Sequence, residues 1–281
     1  KYIKNAFNLI SKNLKKNDII FLESTVYPDT TEIFCKNILL KNKNSVLDNE
    51  FTIGYSSERI NPGDKEHNVK NINKVVAIEA NDNVTNRVKL IYNEISKKII
   101  FSKKIREAEL SKLVENTQRD LNISLMNEIM IVCRKANINF YEVLRLAKTK
   151  WNFLNFSPGL VGGHCLPVDP YYLSYFAKKS NYNTKITLAG RETNNFMTNF
   201  IFRLINKEIK TTNKKITVLG LTYKPNVSDI RNSLALKIFY KLKKKHSNII
   251  GFDPILDKKI AKKINITSNF NKIRSSSTII V

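Results

Sequence analysis

From Ala108 to Ala136 the chain holds a helical period, with Leu110, Val114, Leu121, Leu125, Ile129 and Val132 on or near one stripe and no proline to interrupt it. A helix of that length serves as the spine of a domain or packs against a partner subunit. It therefore separates an N-terminal part of the chain from a C-terminal one. Before it, Asp18–Val26, Phe51–Tyr55 and Lys74–Ile78 read as short buried strands, and Asn83–Ile95 fills a gap between strands as an amphipathic helix. After it come a shorter helix at Tyr141–Lys150, a glycine-rich loop and a long helix at Thr187–Lys210. Lys214–Tyr223 then opens a second strand-and-helix run, with a helix at Ser233–Lys245 and a strand at Asn248–Phe252 that ends in Asp253-Pro254. Strands alternating with helices predict an α/β fold. We expect a partial Rossmann-like domain over 1–105, a central helical domain over 106–210, and a partial Rossmann-like domain over 211–281. The first turn of the last unit lacks a full G-x-G-x-x-G, which argues against a dinucleotide site there.

The 48 basic and 24 acidic residues leave a net charge of +24. The lysines are scattered rather than clustered and arrive with an excess of Asn and Ile, as in Lys70-Asn71-Ile72-Asn73-Lys74. That is the signature of compositional bias rather than of a nucleic-acid surface, which gathers its cations on one face. No apolar run approaches the ~18–20 residues needed to span a bilayer. Cys35, Cys133 and Cys165 are an odd number at no disulfide or zinc spacing, so no metal is expected and a reduced, cytoplasmic compartment is. Lys1 at one end and the strand-like Ser277–Val281 at the other give the expectation of a fragment.

The segment Pro158-Gly-Leu-Val-Gly-Gly-His-Cys-Leu-Pro-Val-Asp169 carries the most chemistry. Three glycines within five residues let the backbone approach a ligand without a Cβ in the way. A cysteine on such a turn can face a cavity, and a carboxylate four residues on can order a water, which is the minimum for covalent chemistry on a carbonyl. A surface turn around a small buried residue is the alternative that the segment alone leaves open.

Five segments in order carry a resemblance: Glu23-Ser24-Thr25-Val26-Tyr27-Pro28; Ser57-Glu58-Arg59-Ile60-Asn61-Pro62-Gly63; Glu109 to Asn116; the Cys165 loop; and Gly220-Leu221-Thr222-Tyr223-Lys224-Pro225 with Asp229-Ile230-Arg231-Asn232. Together they resemble the UDP-glucose/GDP-mannose dehydrogenase family over nearly the whole chain. Trp151-Asn152-Phe153-Leu154 and Asp169-Pro170-Tyr171-Tyr172-Leu173 are most similar to the bacterial UDP-N-acetyl-hexosamine 6-dehydrogenases. Val168 stands where UDP-glucose and GDP-mannose members usually carry Lys.

The resemblance implies a two-step oxidation of a sugar C6 alcohol to the carboxylate, with NAD as cofactor. It implies Cys165 as nucleophile, Lys112 as stabiliser of the developing oxyanion, Asn116 as a hydrogen-bond partner of the reacting oxygen or its water, Asp169 as the orderer of the catalytic water, and Glu58 as the base for thioester hydrolysis. Thr25, Glu58 and Arg231 would border NAD, with Thr25 also near the reacting water. Asn152, Phe153, Leu154, Gly159, Gly162, Gly163 and Lys224 would bind the UDP-sugar. His164, beside Cys165, is not expected to act as a base. A homodimer through the long helix is implied as well. The family's opening G-x-G-x-x-G turn does not occur in this sequence, so the chain alone is expected to bind NAD poorly and to be inactive. The alternatives are a UDP-glucose or GDP-mannose 6-dehydrogenase and a non-catalytic sugar-nucleotide-binding fragment.

Overall fold

The computed structural model describes residues 1–41, 51–61, 63–64, 66–209, 215–274 and 278–280. Pro62 of the second anchor, Lys210 at the expected end of the central domain, Lys214 of the strand run after it, and Ser277 and Val281 lie outside the described residues. The chain forms two compact units, one from 1–116 with 172–183 and one from 117–171 with 184–281.

In the first unit, helix α1 (Tyr2–Asn13) buries Phe7 and leads into strand β1 (Ile19–Leu22), which is shorter than the apolar run that announced it. A turn of π-helix (Thr30–Cys35) continues as α2 (Lys36–Lys41). Strands β2 (Thr52–Tyr55) and β3 (Asn73–Ile78) come next, then α3 (Asp82–Ile95) and β4 (Lys98–Ser102). Helix α3 starts where Asn81 accepts a hydrogen bond from the Val84 N–H, which satisfies one of the amides a helix start leaves open. The sheet order is β1-β2-β3-β4, parallel at β1/β2 and β3/β4 and antiparallel at β2/β3. Phe7, Leu22, Cys35, Leu39 and Tyr55 belong to one core cluster, and Val76, Ile78, Val88 and Tyr92 form another.

Because β1 and β2 are parallel and paired from Ile19↔Thr52 to Leu22↔Tyr55, the loops after them leave from the same edge of the sheet. Ser56 N–H still bonds Leu22 O at 3.1 Å, so the two loops start side by side. In open α/β sheets ligands sit beyond the carboxyl ends of the strands. Thr25 lies just past one such end and Glu58 just past the other.

Helix α4 (Ile105–Lys135) is continuous over 31 residues, as the periodicity predicts, but its faces are used differently. Val114, Leu125 and Val132 of the apolar stripe are exposed, whereas Leu113, Thr117, Asp120, Ser124 and Asn127 are buried. Much of the buried face is polar, so its side chains need partners inside the protein.

In the second unit α5 (Phe140–Ala147) is capped by Asn139 and leads through the glycine-rich loop to the first turn of α6 (Asp169–Lys179), whose residues from 172 on belong to the first unit. The chain returns to the second unit with α7 (Lys185–Ile209). A second sheet is built from β5 (Ile216–Leu219), α8 (Leu234–Lys243), β6 (Ile249–Phe252), α9 (Lys258–Lys263), β7 (Ile266–Thr267) and β8 (Thr278–Ile280). Its strands are all parallel in the order β7-β6-β5-β8. Numbered from β5, that order is 3-2-1-4, the winding of a Rossmann-type sheet. Phe239 and Leu242 of α8 pack with Ile216, Val218 and Ile249 in its core.

Candidate functional site

The predicted residues fall into two sets, one in each unit. In the first, the loop after β1 is held at both ends. Glu23 Oε1 accepts from Tyr92 Oη at 2.8 Å and pairs with Lys74 Nζ at 3.3 Å. At the far end Asp29 takes a left-handed conformation at φ 74°, and its N–H donates to Glu109 at 2.8 Å. Thr31 adds its N–H and its hydroxyl, at 2.8 and 2.7 Å. Glu109 is fully buried, and burial pushes its carboxyl up to about 7 against the pull of those three donors. Thr25, half-buried, thus lies in a loop with two fixed ends. Glu109 belongs to one of the sequence anchors, yet its role was not legible there.

Glu58 is exposed, and its Oε1 accepts from the N–H groups of Arg59 and Ile60 at 2.7 and 2.6 Å. Arg59 pairs closely with Glu115 of α4, and Lys112 Nζ lies 3.9 Å from the same carboxylate. Lys112 is 8% exposed, so it is not the solvated helix lysine that composition alone would favour. Asn116 sits one turn further along α4 and is half-buried. The structure therefore brings Lys112 and the Glu58 loop together through Arg59 and Glu115, a link with no signal in the sequence.

In the second unit Cys165 is the exposed member of the three cysteines; Cys35 and Cys133 are buried, as expected of small core residues. The N–H groups of Val168 and Asp169 both donate to Cys165 O at 2.9 Å, which ties the cysteine to the first turn of α6. Asp169 heads that helix and is 3% exposed.

The loop before Cys165 rests on the turn between β5 and α8. Gly163 N–H points at Asn232 O, 3.4 Å away, and Asn232 Nδ2 donates to Gly163 O at 3.1 Å. Gly163 has φ 86°, and a Cβ there would lie 2.7 Å from the Tyr223 ring. At Gly162 a Cβ would meet Asn232 O at 2.7 Å. These two glycines are required by close approach, whereas a Cβ at Gly159 meets nothing within 4 Å.

His164 turns to Asp229, with Nε2 to Oδ2 at 3.2 Å, and stacks edge-on to Tyr223. Arg231 forks onto the same carboxylate at 2.7–3.1 Å and holds it well below the usual range, chiefly by that hydrogen bonding. Burial, then the charges of Asp229 and Cys165, raise the Tyr223 phenol. Lys224 is half-buried in this turn, where its carbonyl accepts from Thr222 Oγ1 at 3.2 Å. Asn152 and Leu154 are exposed and Phe153 is half-buried, in a bend where Phe153 N–H bonds Lys150 O at 3.0 Å.

The fit of NAD can be tested on these residues. Thr25 and Glu58 lie just past the carboxyl ends of β1 and β2, the edge at which open α/β sheets hold a nucleotide cofactor. The second sheet does not offer a dinucleotide turn. Asp253, at the end of β6, directs Oδ2 to the N–H groups of Leu221 and Thr222 at 2.8 and 3.0 Å. Ser233 closes the start of α8, accepting from Leu236 N–H and donating to Leu221 O. Both side chains are thus engaged by the protein's own backbone in this structure. Among the described residues no helix is long and apolar enough to cross a membrane, and no cluster of three His, Cys, Asp or Glu side chains could hold a metal ion.

Three family models match the chain in order: the NAD binding domain of the UDP-glucose/GDP-mannose dehydrogenase family over residues 1–96, its central domain over 106–196, and its UDP binding domain over 217–281. Protein CapL of Staphylococcus aureus is 41% identical over 264 residues, covering 92% of this chain and 62% of CapL. The UDP-N-acetyl-D-glucosamine 6-dehydrogenase of Salmonella typhi is 40% identical, covering 90% of this chain and 60% of that protein. Among solved structures, the UDP-N-acetyl-mannosamine dehydrogenase Cap5O of Staphylococcus aureus superposes with a TM-score of 0.82 at 30% identity, covering 99% of this chain and 64% of that one. The chain thus spans about three fifths of the length of these relatives. With all three of the family's domains matched in order along this chain, and with relatives of about 40% identity, the chain belongs to the UDP-glucose/GDP-mannose dehydrogenase family.

Proposed function

We propose that the protein of which this chain is part is an NAD-dependent UDP-N-acetyl-hexosamine 6-dehydrogenase serving capsule or O-antigen synthesis. The observation that carries this reading is the exposed Cys165, tied by its carbonyl to the start of α6 on a turn that only glycines can form. The names of the relatives and the Val168 departure support the N-acetyl-hexosamine class over UDP-glucose or GDP-mannose.

Two molecules of NAD, bound one after the other, would each supply the hydride acceptor for one oxidation step. The C6 alcohol loses a hydride and a proton to become the aldehyde. The Cys165 thiolate then adds to that carbonyl, making a C–S bond and a thiohemiacetal oxyanion. Loss of the second hydride leaves a thioester. Water attacks it, the C–S bond breaks, and the acid and the thiol are released. In this reading Lys112 stabilises the oxyanion, which suits a lysine kept out of bulk water, and Asn116 hydrogen-bonds the reacting oxygen or its water. Asp169 orders the water and Glu58 takes its proton. Thr25, Glu58 and Arg231 border the cofactor, and Asn152, Phe153, Leu154, Gly159, Gly162, Gly163 and Lys224 border the sugar nucleotide. The exposed Val114, Leu125 and Val132 on α4 support a homodimer through that helix. Three cysteines without a disulfide among them support a cytoplasmic setting.

The test is Cys165→Ser in the full-length protein, assayed with UDP-N-acetylglucosamine, UDP-N-acetylgalactosamine, UDP-glucose and GDP-mannose. A serine hydroxyl is a poor nucleophile at neutral pH, so oxidation to the uronic acid should fall by about 10³-fold or more. Turnover within about tenfold of wild type is too small a change for a lost nucleophile and would sink the covalent route. Preference for UDP-glucose in the wild-type panel would overturn the substrate class.

A further inference from the structure

We propose that Asn127 is a positioning residue for the loop that leads to Cys165, acting by pairing with the loop's backbone as a neighbouring strand would. The proposal deepens the functional reading and rests on it for its kinetic consequence only.

Asn127 lies on the polar buried face of α4 and is 0% exposed. Its Nδ2 donates to Gly159 O at 3.0 Å and its Oδ1 accepts from Gly159 N–H at 2.9 Å. A primary amide can mimic one rung of a ladder in this way, and a loop without secondary structure needs such partners for its buried backbone groups. The second Nδ2 hydrogen goes to Asn194 Oδ1 at 2.8 Å. Asn194, 1% exposed, donates in turn to Asp120 Oδ1 at 2.8 Å and Asp120 O at 3.0 Å. Arg191 Nη1 reaches the same Asp120 oxygen at 2.6 Å.

Polarity fixes the direction of this chain. Asp120 accepts, so Asn194 must present its NH₂ to it and its oxygen to Asn127. Asn127 must then present NH₂ to Asn194 and to Gly159 O, which leaves its oxygen for Gly159 N–H. Neither amide can flip without opposing two acceptors. The Gly159 backbone is thereby referred to a buried ion pair rather than to solvent.

Four residues later Asn232 holds Gly163 from the turn before α8. The two asparagines grip opposite ends of the 159–163 stretch. Asn127 is the one that governs the end furthest along the chain from Cys165, five residues after the bend at Asn152–Leu154. Its loss should therefore disturb sugar-nucleotide binding more than the chemical step.

The experiment compares Asn127→Ala and Asn127→Asp with Ser124→Ala, a buried residue of the same helix whose hydroxyl donates to Leu121 O within its own helix. Hydrogen exchange of the 158–163 peptide should speed up about tenfold in either Asn127 variant, the counterpart of about one lost hydrogen bond, and stay unchanged in Ser124→Ala. Reaction of the exposed Cys165 thiol with a disulfide reagent, to which buried Cys35 and Cys133 stay silent, should change by about threefold or more. In the full-length enzyme the KM for the sugar nucleotide should rise about tenfold, with kcat and the KM for NAD within about threefold. Should the Asn127 variants fail to fold, Asn194→Ala decides, because it removes the outer anchor without touching the loop; loop exchange should still rise about threefold. Loop exchange and thiol rate within about twofold of wild type in a folded variant would overturn the proposal. A protein that oxidises no sugar nucleotide but shows the exchange and thiol effects would retire the functional reading and leave the positioning role standing.

Discussion

Raising the pH from 5 to 8 should destabilise this protein through Glu109. The unfolded carboxyl titrates near 4.5, whereas burial pushes the folded one up to about 7. A folded pKa above the unfolded one means that the bound proton stabilises the native state. That contribution is fully present below about pH 4.5 and is lost as the pH climbs through about 7. At ~1.4 kcal/mol per unit, the interval from 4.5 to about 7 is worth about 3 kcal/mol. No screening discount applies, because the side chain is 0% exposed. Glu109→Gln removes the titration. The Gln oxygen still accepts from the Thr31 N–H and hydroxyl, but its NH₂ then faces the Asp29 N–H and forfeits that bond, at a pH-independent cost of about 1–3 kcal/mol. Glu32, also raised chiefly by burial, is present in both proteins and cancels in the comparison except for its charge coupling to Glu109, the smallest of the causes acting on Glu109. Urea unfolding of wild type and variant at pH 5 and pH 8 isolates the effect. Wild type should lose about 2–3 kcal/mol more than Glu109→Gln over that interval, about 1 M in midpoint. Parallel pH profiles, agreeing within about 0.5 kcal/mol, would show that the three donors keep Glu109 ionised throughout.

Arg191→Met should cost about 3–5 kcal/mol in urea unfolding, since it strands the fully buried Asp120, and a loss under about 1 kcal/mol would mean that water reaches the carboxylate. Gly163→Ala should destabilise by about 2 kcal/mol, from the left-handed backbone and the contact with Tyr223, whereas Gly159→Ala should stay within about 0.5 kcal/mol; equal effects would show that the turn is not bound by its φ.

Much of this protein is written locally. The period along α4, the apolar runs of β1, β2, β3, β5 and β6, and the glycines before Cys165 each arise from the geometry of a few neighbouring residues, so the elements and the glycine turn are legible without coordinates. The same holds for the missing dinucleotide fingerprint after β5. Its reason is tertiary, however: Asp253, 32 residues away along the chain, fills the turn with its own carboxylate. Partner choice across long separations is what the sequence leaves open. Glu109 meets Thr31 across 78 residues, His164 meets Asp229 across 65, and Asn127 meets Asn194 across 67. No periodicity encodes such pairs, because a buried donor requires an acceptor but does not say from which segment it comes. The faces of α4 make the same point. The hydrophobic pattern picks out Val114, Leu125 and Val132, yet packing leaves them exposed and buries Asp120 and Asn127 instead. Sequence marks what a face is made of; only the folded chain decides which face turns inward, because burial of a polar group depends on whether its hydrogen bonds are met there.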